Sequence, residues 1–231
     1  MEKNFEEFEQ VIGVEFRDKA LLKQAFTHRS YLNEARDGGL GHNERLEFLG
    51  DAVLELATTV HLYDKYPETA EGELTSYRAG LVNTISIGSV ATELGMNDYL
   101  LLSRGEAKDE GRARQYILAD AFEALIAAIF LDQGYEVARD FIARFLLPKT
   151  EEIVEKRLWQ DAKSLFQERS QERYGITPAY QVLLESGPDH NKIFTCGVFL
   201  KNDMVAEASG ASKQEAEQSA AEKALKTKGW R

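Results

Sequence analysis

NERLEFLGDAVLE, residues 43–55, sorts into two sides on a helix that advances about 100° per residue. Glu44, Glu47 and Asp51 fall within an arc of roughly 60°. Leu46, Leu49, Val53, Leu56 and Val60 take the other side and are expected to be core. Ordinary solvated helices soften an acidic row with Lys or Arg one turn along. Here Glu47, Asp51 and Glu55 succeed one another at i, i+4, acid onto acid, each pair costing a few tenths of a kcal/mol. Arg45 is the only cation from Glu44 to Tyr63, and it points elsewhere. A wet helix face accounts for the row taken alone. The sharper reading is a cation that the chain does not encode.

A second stretch favours the sharper reading. ILADAFEALIAAIFL, residues 117–131, is apolar nearly all round and so predicts a buried helix. Asp120 and Glu123 sit in it at i, i+3, on one face. No Lys or Arg lies between Arg114 and Arg139. Buried carboxylates without a cationic neighbour need a metal, a distant Arg or a proton. If the two helices pack face to face, Glu47, Asp51, Asp120 and Glu123 make an all-oxygen site. Such a donor set suits Mg²⁺ or Mn²⁺ rather than zinc.

Two hundred and thirty-one residues suffice for one large domain or two modest ones. A single cysteine, Cys196, excludes a disulfide framework within the chain and any CxxC site. MEKNFEEFEQ at the N-terminus is acidic where a signal peptide is basic and then apolar, and no apolar run approaches about 18 residues. The expectation is a soluble, cytoplasmic protein without membrane contact. Net charge is −11, yet from Gln160 onward ten acids meet ten Lys plus Arg, so the whole deficit lies upstream. Net charge therefore does not decide whether nucleic acid is a partner.

Taken in order, Phe5, Phe8, Val11 and Ile12 recur at helical spacing, and Leu21, Leu22, Ala25 and Phe26 predict a second helix closed by His28, Arg29 and Ser30. His28 reads as a hydrogen-bonded structural histidine ahead of a catalytic base. DGGLG, residues 37–41, is a turn, Asn43 a candidate N-cap, and the acidic helix ends before Pro67. A further helix opens at Glu71 and runs to a cap at Gly95. SRGEAKDEGRAR, residues 103–114, is a basic loop leading into the helix of Asp120, suited to a phosphate-chain substrate or to plain solvation. One more helix follows Gly134 as far as Leu147, and Pro148 ends an all-α half. Residues 151–160 form a charged linker.

Beyond it the period changes. Residues 162–174 are helical. Tyr180, Val182 and Leu184 alternate, then Phe194, Cys196, Val198 and Leu200, then a short strand over residues 204–208. Ser212 and Glu215 spell a capping box that opens an Ala-rich helix. The order α-β-β-β-α occupies residues 161–229, a small α+β domain after the all-α domain of residues 1–150.

HNERLEFLGDAVL, EGELT and ILADAFEALIAAIFLD together resemble bacterial ribonuclease III, and the C-terminal segment resembles its double-stranded-RNA-binding domain. The resemblance spans nearly the whole chain. It implies a homodimeric, all-helical endonuclease domain tethered to the α-β-β-β-α module. Matched residue by residue, Glu47, Asp51, Asp120 and Glu123 are the metal ligands, with Asp51 and Glu123 the catalytic pair. Glu44 and Glu71 match accessory acidic positions. The implied activity is Mg²⁺-dependent hydrolysis of duplex RNA, with Mn²⁺ as a substitute and no nucleotide cofactor. It leaves 5′-phosphate and 3′-hydroxyl ends with short 3′ overhangs, and serves ribosomal RNA precursors and other structured transcripts. In the C-terminal module the resemblance assigns RNA contacts to Gln167, Gln171, His190, Ser212, Lys213 and Gln214. Gln214 and Gln218 stand where Lys is frequent, which implies weaker binding or reliance on dimer avidity.

Two other classes compete. A dimer that grips duplex RNA without cutting it would leave the acids vestigial, and the complete acid set argues against that. A di-iron carboxylate bundle needs Glu-x-x-His pairs, and no such spacing occurs.

Overall fold

The computed structural model describes residues 3–32, 41–108, 111–188 and 192–230, which fall into two units, Met1–Val154 and Glu155–Arg231. In the first unit the apolar run becomes a central helix, α7 (Arg112–Gln133). Ala121, Phe122 and every residue from Ala124 to Ile129 are wholly buried on it. Its sheath consists of α2 (Lys19–Ala25), α4 (Glu44–Lys65), α6 (Thr84–Glu93) and α8 (Tyr135–Phe145). Helices α1 (Phe5–Ile12), α3 (Arg29–Leu32), α5 (Glu71–Leu81) and α9 (Thr150–Glu155) complete the unit. Phe8 and Phe26, rings 4.9 Å apart and edge to face, fasten α1 to the chain leaving α2.

Close approach is what fixes α4 on α7. A Cβ on Gly50 would lie 1.8 Å from the Glu123 carbonyl oxygen and 2.5 Å from its carbon. Only a residue without a side chain fits there. Gly88 of α6 is similarly tight, its Cβ position 2.9 Å from the Gln115 carbonyl oxygen.

Several local expectations are corrected. Leu56 and Val60 are not core: they are 53% and 44% exposed, while Leu46, Val53, Leu54, Ala57 and Leu62 form the buried side of α4. Asn43 makes no side-chain cap. It is buried, and its Nδ2 donates to the Ala25 carbonyl at 3.2 Å while its backbone N–H donates to Thr27 at 2.9 Å. The single helix expected from Glu71 to Gly95 is two helices, because Asn83 accepts from the Ser86 N–H and starts α6. Arg112, Ala113 and Arg114 belong to α7 rather than to a loop, and residues 106–108 form a 3₁₀ turn. The helix expected to reach Leu147 ends at Phe145. His28, Arg29 and Ser30 do not close α2: that helix stops at Ala25 and α3 begins at Arg29. Of the turn expected at residues 37–41, only Gly41 lies among the described residues.

The second unit runs α10 (Ala162–Tyr174), β1 (Ala179–Ser186), β2 (Ile193–Leu200), β3 (Asp203–Gly210) and α11 (Lys213–Lys228). The strands form an antiparallel sheet in the order β1-β2-β3. Val198, Leu200 and Ala206 pack against Leu165, Phe166, Ala220, Ala224 and Leu225, with the Trp230 ring stacked 5.2 Å from Phe166. A bulge at Leu183 breaks the alternation expected of β1. Val182 pairs with Cys196, but Leu184 pairs with Thr195 and is 58% exposed. The capping box forms, Ser212 Oγ accepting from the Glu215 N–H at 3.1 Å. Glu215 in turn accepts from the Ala211 N–H through Oε2 at 3.1 Å. No helix among the described residues is long and apolar enough to cross a membrane.

Candidate metal centre

The Gly50–Glu123 contact brings two acidic faces together. Helix α4 contributes Glu44, Glu47 and Asp51; α7 contributes Asp120 and Glu123. Their mutual electrostatics register the convergence. Burial first, then the charges of Asp51, Asp120 and Glu47, push the Glu123 carboxyl up to about 8. Burial raises Glu47, and Asp120, Glu44 and Asp51 add to it. Burial raises Asp120; His28 pulls it back down in part, and Glu44 adds a smaller raise. Acids from each helix thus act on acids of the other.

Among the described residues, only Glu44 of these five acids has ion-pair partners, Arg29 at 3.3 Å and His42 at 3.7 Å. Among the described residues the other four carboxylates, two of them half-buried on α7, lie together without an ion-pair partner. Four hard oxygen donors in that condition fit a divalent ion such as Mg²⁺ or Mn²⁺. Among the described residues no three His, Cys, Asp or Glu side chains already stand in a metal-holding group.

Three neighbours complete the picture. His28 bonds Ser30 Oγ through Nδ1 at 2.8 Å, the structural role expected of it, and its field still reaches Asp120. Glu71 stands apart from the cluster, at the start of α5, where it lines a groove with Thr59, Leu62, Tyr63 and Arg78. Gly50 carries no chemistry of its own, and residue types alone do not single it out. Its only signal in the sequence is a glycine inside an otherwise regular helical period.

In the second unit Gln167, Gln171, Ser212, Lys213 and Gln214 are all exposed. Gln171 Nε2 donates to Thr177 Oγ1 at 2.6 Å. Ser212 caps α11, whose N-terminal dipole favours an anion. His190 lies outside the described residues. Gln218 is not free for a ligand: it donates to Asp161 Oδ1 at 3.0 Å and accepts from the Lys163 N–H at 3.3 Å, tying α11 to the start of α10.

Comparison with known proteins agrees with both units. Residues 18–150 match the family model "Ribonuclease-III-like", and residues 162–228 match "Double-stranded RNA binding motif". The chain is 48% identical over 214 residues to the ribonuclease 3 of Pelotomaculum thermopropionicum, covering 93% of this chain and 89% of that one. It is 42% identical over 224 residues to the ribonuclease 3 of Nitratiruptor, covering 97% and 96%. Among solved structures, the nuclease domain of ribonuclease III from Campylobacter jejuni is 41% identical, with a TM-score of 0.58, over 63% of this chain and 97% of that domain. That Campylobacter domain has structural flexibility in a region involved in dimer formation.

Proposed function

The chain belongs to the bacterial ribonuclease III family of double-stranded-RNA endoribonucleases, and we propose that its hydrolysis is metal-dependent, with Glu47, Asp51, Asp120 and Glu123 holding Mg²⁺ or, in its place, Mn²⁺. The observation that carries this is the close approach of α4 to α7 at Gly50, which sets Glu47 and Asp51 against Asp120 and Glu123, the last raised by burial and by the other three acids. A divalent ion bound there would supply charge neutralisation at the phosphodiester and activation of the attacking water. Asp51 and Glu123, one from each helix across the Gly50 contact, are assigned as the catalytic pair. Asp120 and Glu47 hold the cluster's negative potential, and Glu44, already paired with Arg29, is the accessory acid on its edge. Glu71 is assigned the other accessory role, from the separate groove beside α4. Products are 5′-phosphate and 3′-hydroxyl ends with short 3′ overhangs, and the setting is the cytoplasm.

The second unit supplies the grip. A-form duplexes are read across minor grooves through 2′-hydroxyls, with phosphates bridged between. Gln167, Gln171 and His190 are assigned to the grooves. Ser212, Lys213 and Gln214, at the positive end of α11, are assigned to the phosphates.

The test is digestion of a long duplex RNA. With Mg²⁺ the products should be short duplexes carrying 5′-phosphates, and with EDTA the substrate should survive intact. Binding without cutting in Mg²⁺ would leave the non-cleaving RNA-binding dimer instead.

Dimerisation is supported by an apolar stripe that a lone protomer leaves in water. Phe48, Leu56, Val60 and Tyr63 share one side of α4 and are 82%, 53%, 44% and 72% exposed. A two-fold pair would present one site to each antiparallel strand of the substrate. Phe48→Asp should convert the dimer to monomer, halving the mass measured by light scattering. A mutant that stays dimeric would move the interface elsewhere.

A further inference from the structure

Lys213, assigned above to an RNA phosphate, is already occupied in the free protein. Glu185, near the end of β1, accepts from Lys213 Nζ through Oε1 at 3.0 Å and from Lys192 Nζ through Oε2 at 3.2 Å, one lysine to each oxygen. Both ammonium groups also lie over the Phe194 ring, at 5.9 Å for Lys192 and 5.4 Å for Lys213. The sheet register makes the arrangement, since Glu185 is the cross-strand partner of Phe194. The two lysines hold the Glu185 carboxyl below its usual range, so it stays charged through neutral pH.

We propose that Glu185 is a built-in counterion that sets how tightly, and with what salt sensitivity, this domain holds duplex RNA. Basic residues normally gain affinity by releasing condensed cations from the phosphates they neutralise, with a salt slope of about −0.9 per contact for B-DNA. Here a phosphate approaching Lys213 meets a lysine already matched by a carboxylate. It must displace Glu185 or share the lysine with it, and the carboxylate repels it meanwhile. The pairs are half-exposed and so weak enough to be broken. The chain thereby lowers its grip without removing the lysines. For a nuclease that must release product this favours turnover.

The proposal rests on the assignment of Lys213 to RNA, and the experiment separates the two. Full-length protein in EDTA is titrated with a duplex RNA longer than the roughly 16 base pairs one such domain spans. Binding is read by anisotropy across a KCl series, for wild type, Glu185→Gln, Lys213→Gln and the double variant. Thermal melts check that each variant folds. Lys213→Gln should weaken binding. Glu185→Gln should tighten it about 3–10-fold at low salt and steepen the salt slope by about one to two. In the double variant the gain should shrink. If Lys213→Gln weakens binding but Glu185→Gln leaves affinity and slope unchanged, or weakens binding, the counterion is overturned and the RNA face stands. If Lys213→Gln changes nothing, the RNA-face assignment fails and takes the proposal with it.

Discussion

Glu123→Gln should reduce Mg²⁺-dependent cleavage by at least about 10³-fold while leaving duplex binding in EDTA within about twofold. The same substitution should make the cation-free protein more stable at alkaline pH. The Glu123 carboxyl is raised in the folded state, to about 8 from the ordinary 4.5. A raised acid favours folding fully below its unfolded pKa, where both states carry the proton on that group, and the advantage is lost as pH rises through the folded value. The cation-free wild type should therefore lose stability between about pH 4.5 and 8, with Glu47 and Asp120 adding in the same direction. Glutamine removes the largest share of that loss. With the group partly solvated, a gain on the order of 1–2 kcal/mol is reasonable. Differential scanning calorimetry at pH 8 in EDTA should show a melting temperature about 3–6 °C above wild type. Cation affinity should also rise with pH up to about 8, because binding displaces that proton. Equal loss of cleavage and binding, or a variant that melts lower, would count against the assignment.

Gly50→Ala should cost more than any single carboxylate change in stability terms. The new methyl would lie 1.8 Å from the Glu123 carbonyl oxygen, which is main chain and cannot swing aside. Helix α4 would have to move off α7 by roughly the difference between that distance and a carbon–oxygen contact of about 3.3 Å. Overpacking in cores costs about 1–3 kcal/mol where side chains can yield, so about 3 kcal/mol or more is expected here. The melting temperature should fall by about 6–12 °C. Cleavage should collapse with it, because the displaced helix carries Glu47 and Asp51 while Glu123 stays behind. Gly72→Ala provides the contrast, since nothing lies within 4 Å of its Cβ position. It should be neutral or stabilising by up to about 1 kcal/mol through helix propensity. Equal melting of the two variants would refute the close-packing account.

Helix identity and acid placement were legible because each left a periodic mark. The acid row on α4, the all-round apolarity of α7 and the box at Ser212 translated directly into elements. What was not legible shares one cause: the residue type was right for two environments. Leu56 and Val60 read as core because an apolar side chain on an exposed helix face has the same residue type as one packed inside. Asn83, an acceptable helical residue, instead caps a new helix with its side chain. The bulge at Leu183 leaves no mark in a run of three apolar residues, Val182, Leu183 and Leu184, since any of them could be the extra one. For the site, the carboxylates were readable as charges. The contact that unites them was not, because a glycine announces only the absence of a side chain. Glu185 was equally silent, its partners standing 7 and 28 positions away, at Lys192 and Lys213.

The start of α4 is held by a knot of hydrogen bonds. Asn43 N–H donates to the Thr27 carbonyl and Asn43 Nδ2 to that of Ala25, while Leu101 N–H donates to the Phe26 carbonyl and the Leu101 carbonyl accepts from His28 N–H. Three stretches of chain, around residues 26, 43 and 101, meet there. The first acid, Glu44, follows directly on Asn43, so its place is set by partners far from it in the sequence. A change at Thr27 or Leu101, neither of which carries a charge, would re-aim a carboxylate that it never touches.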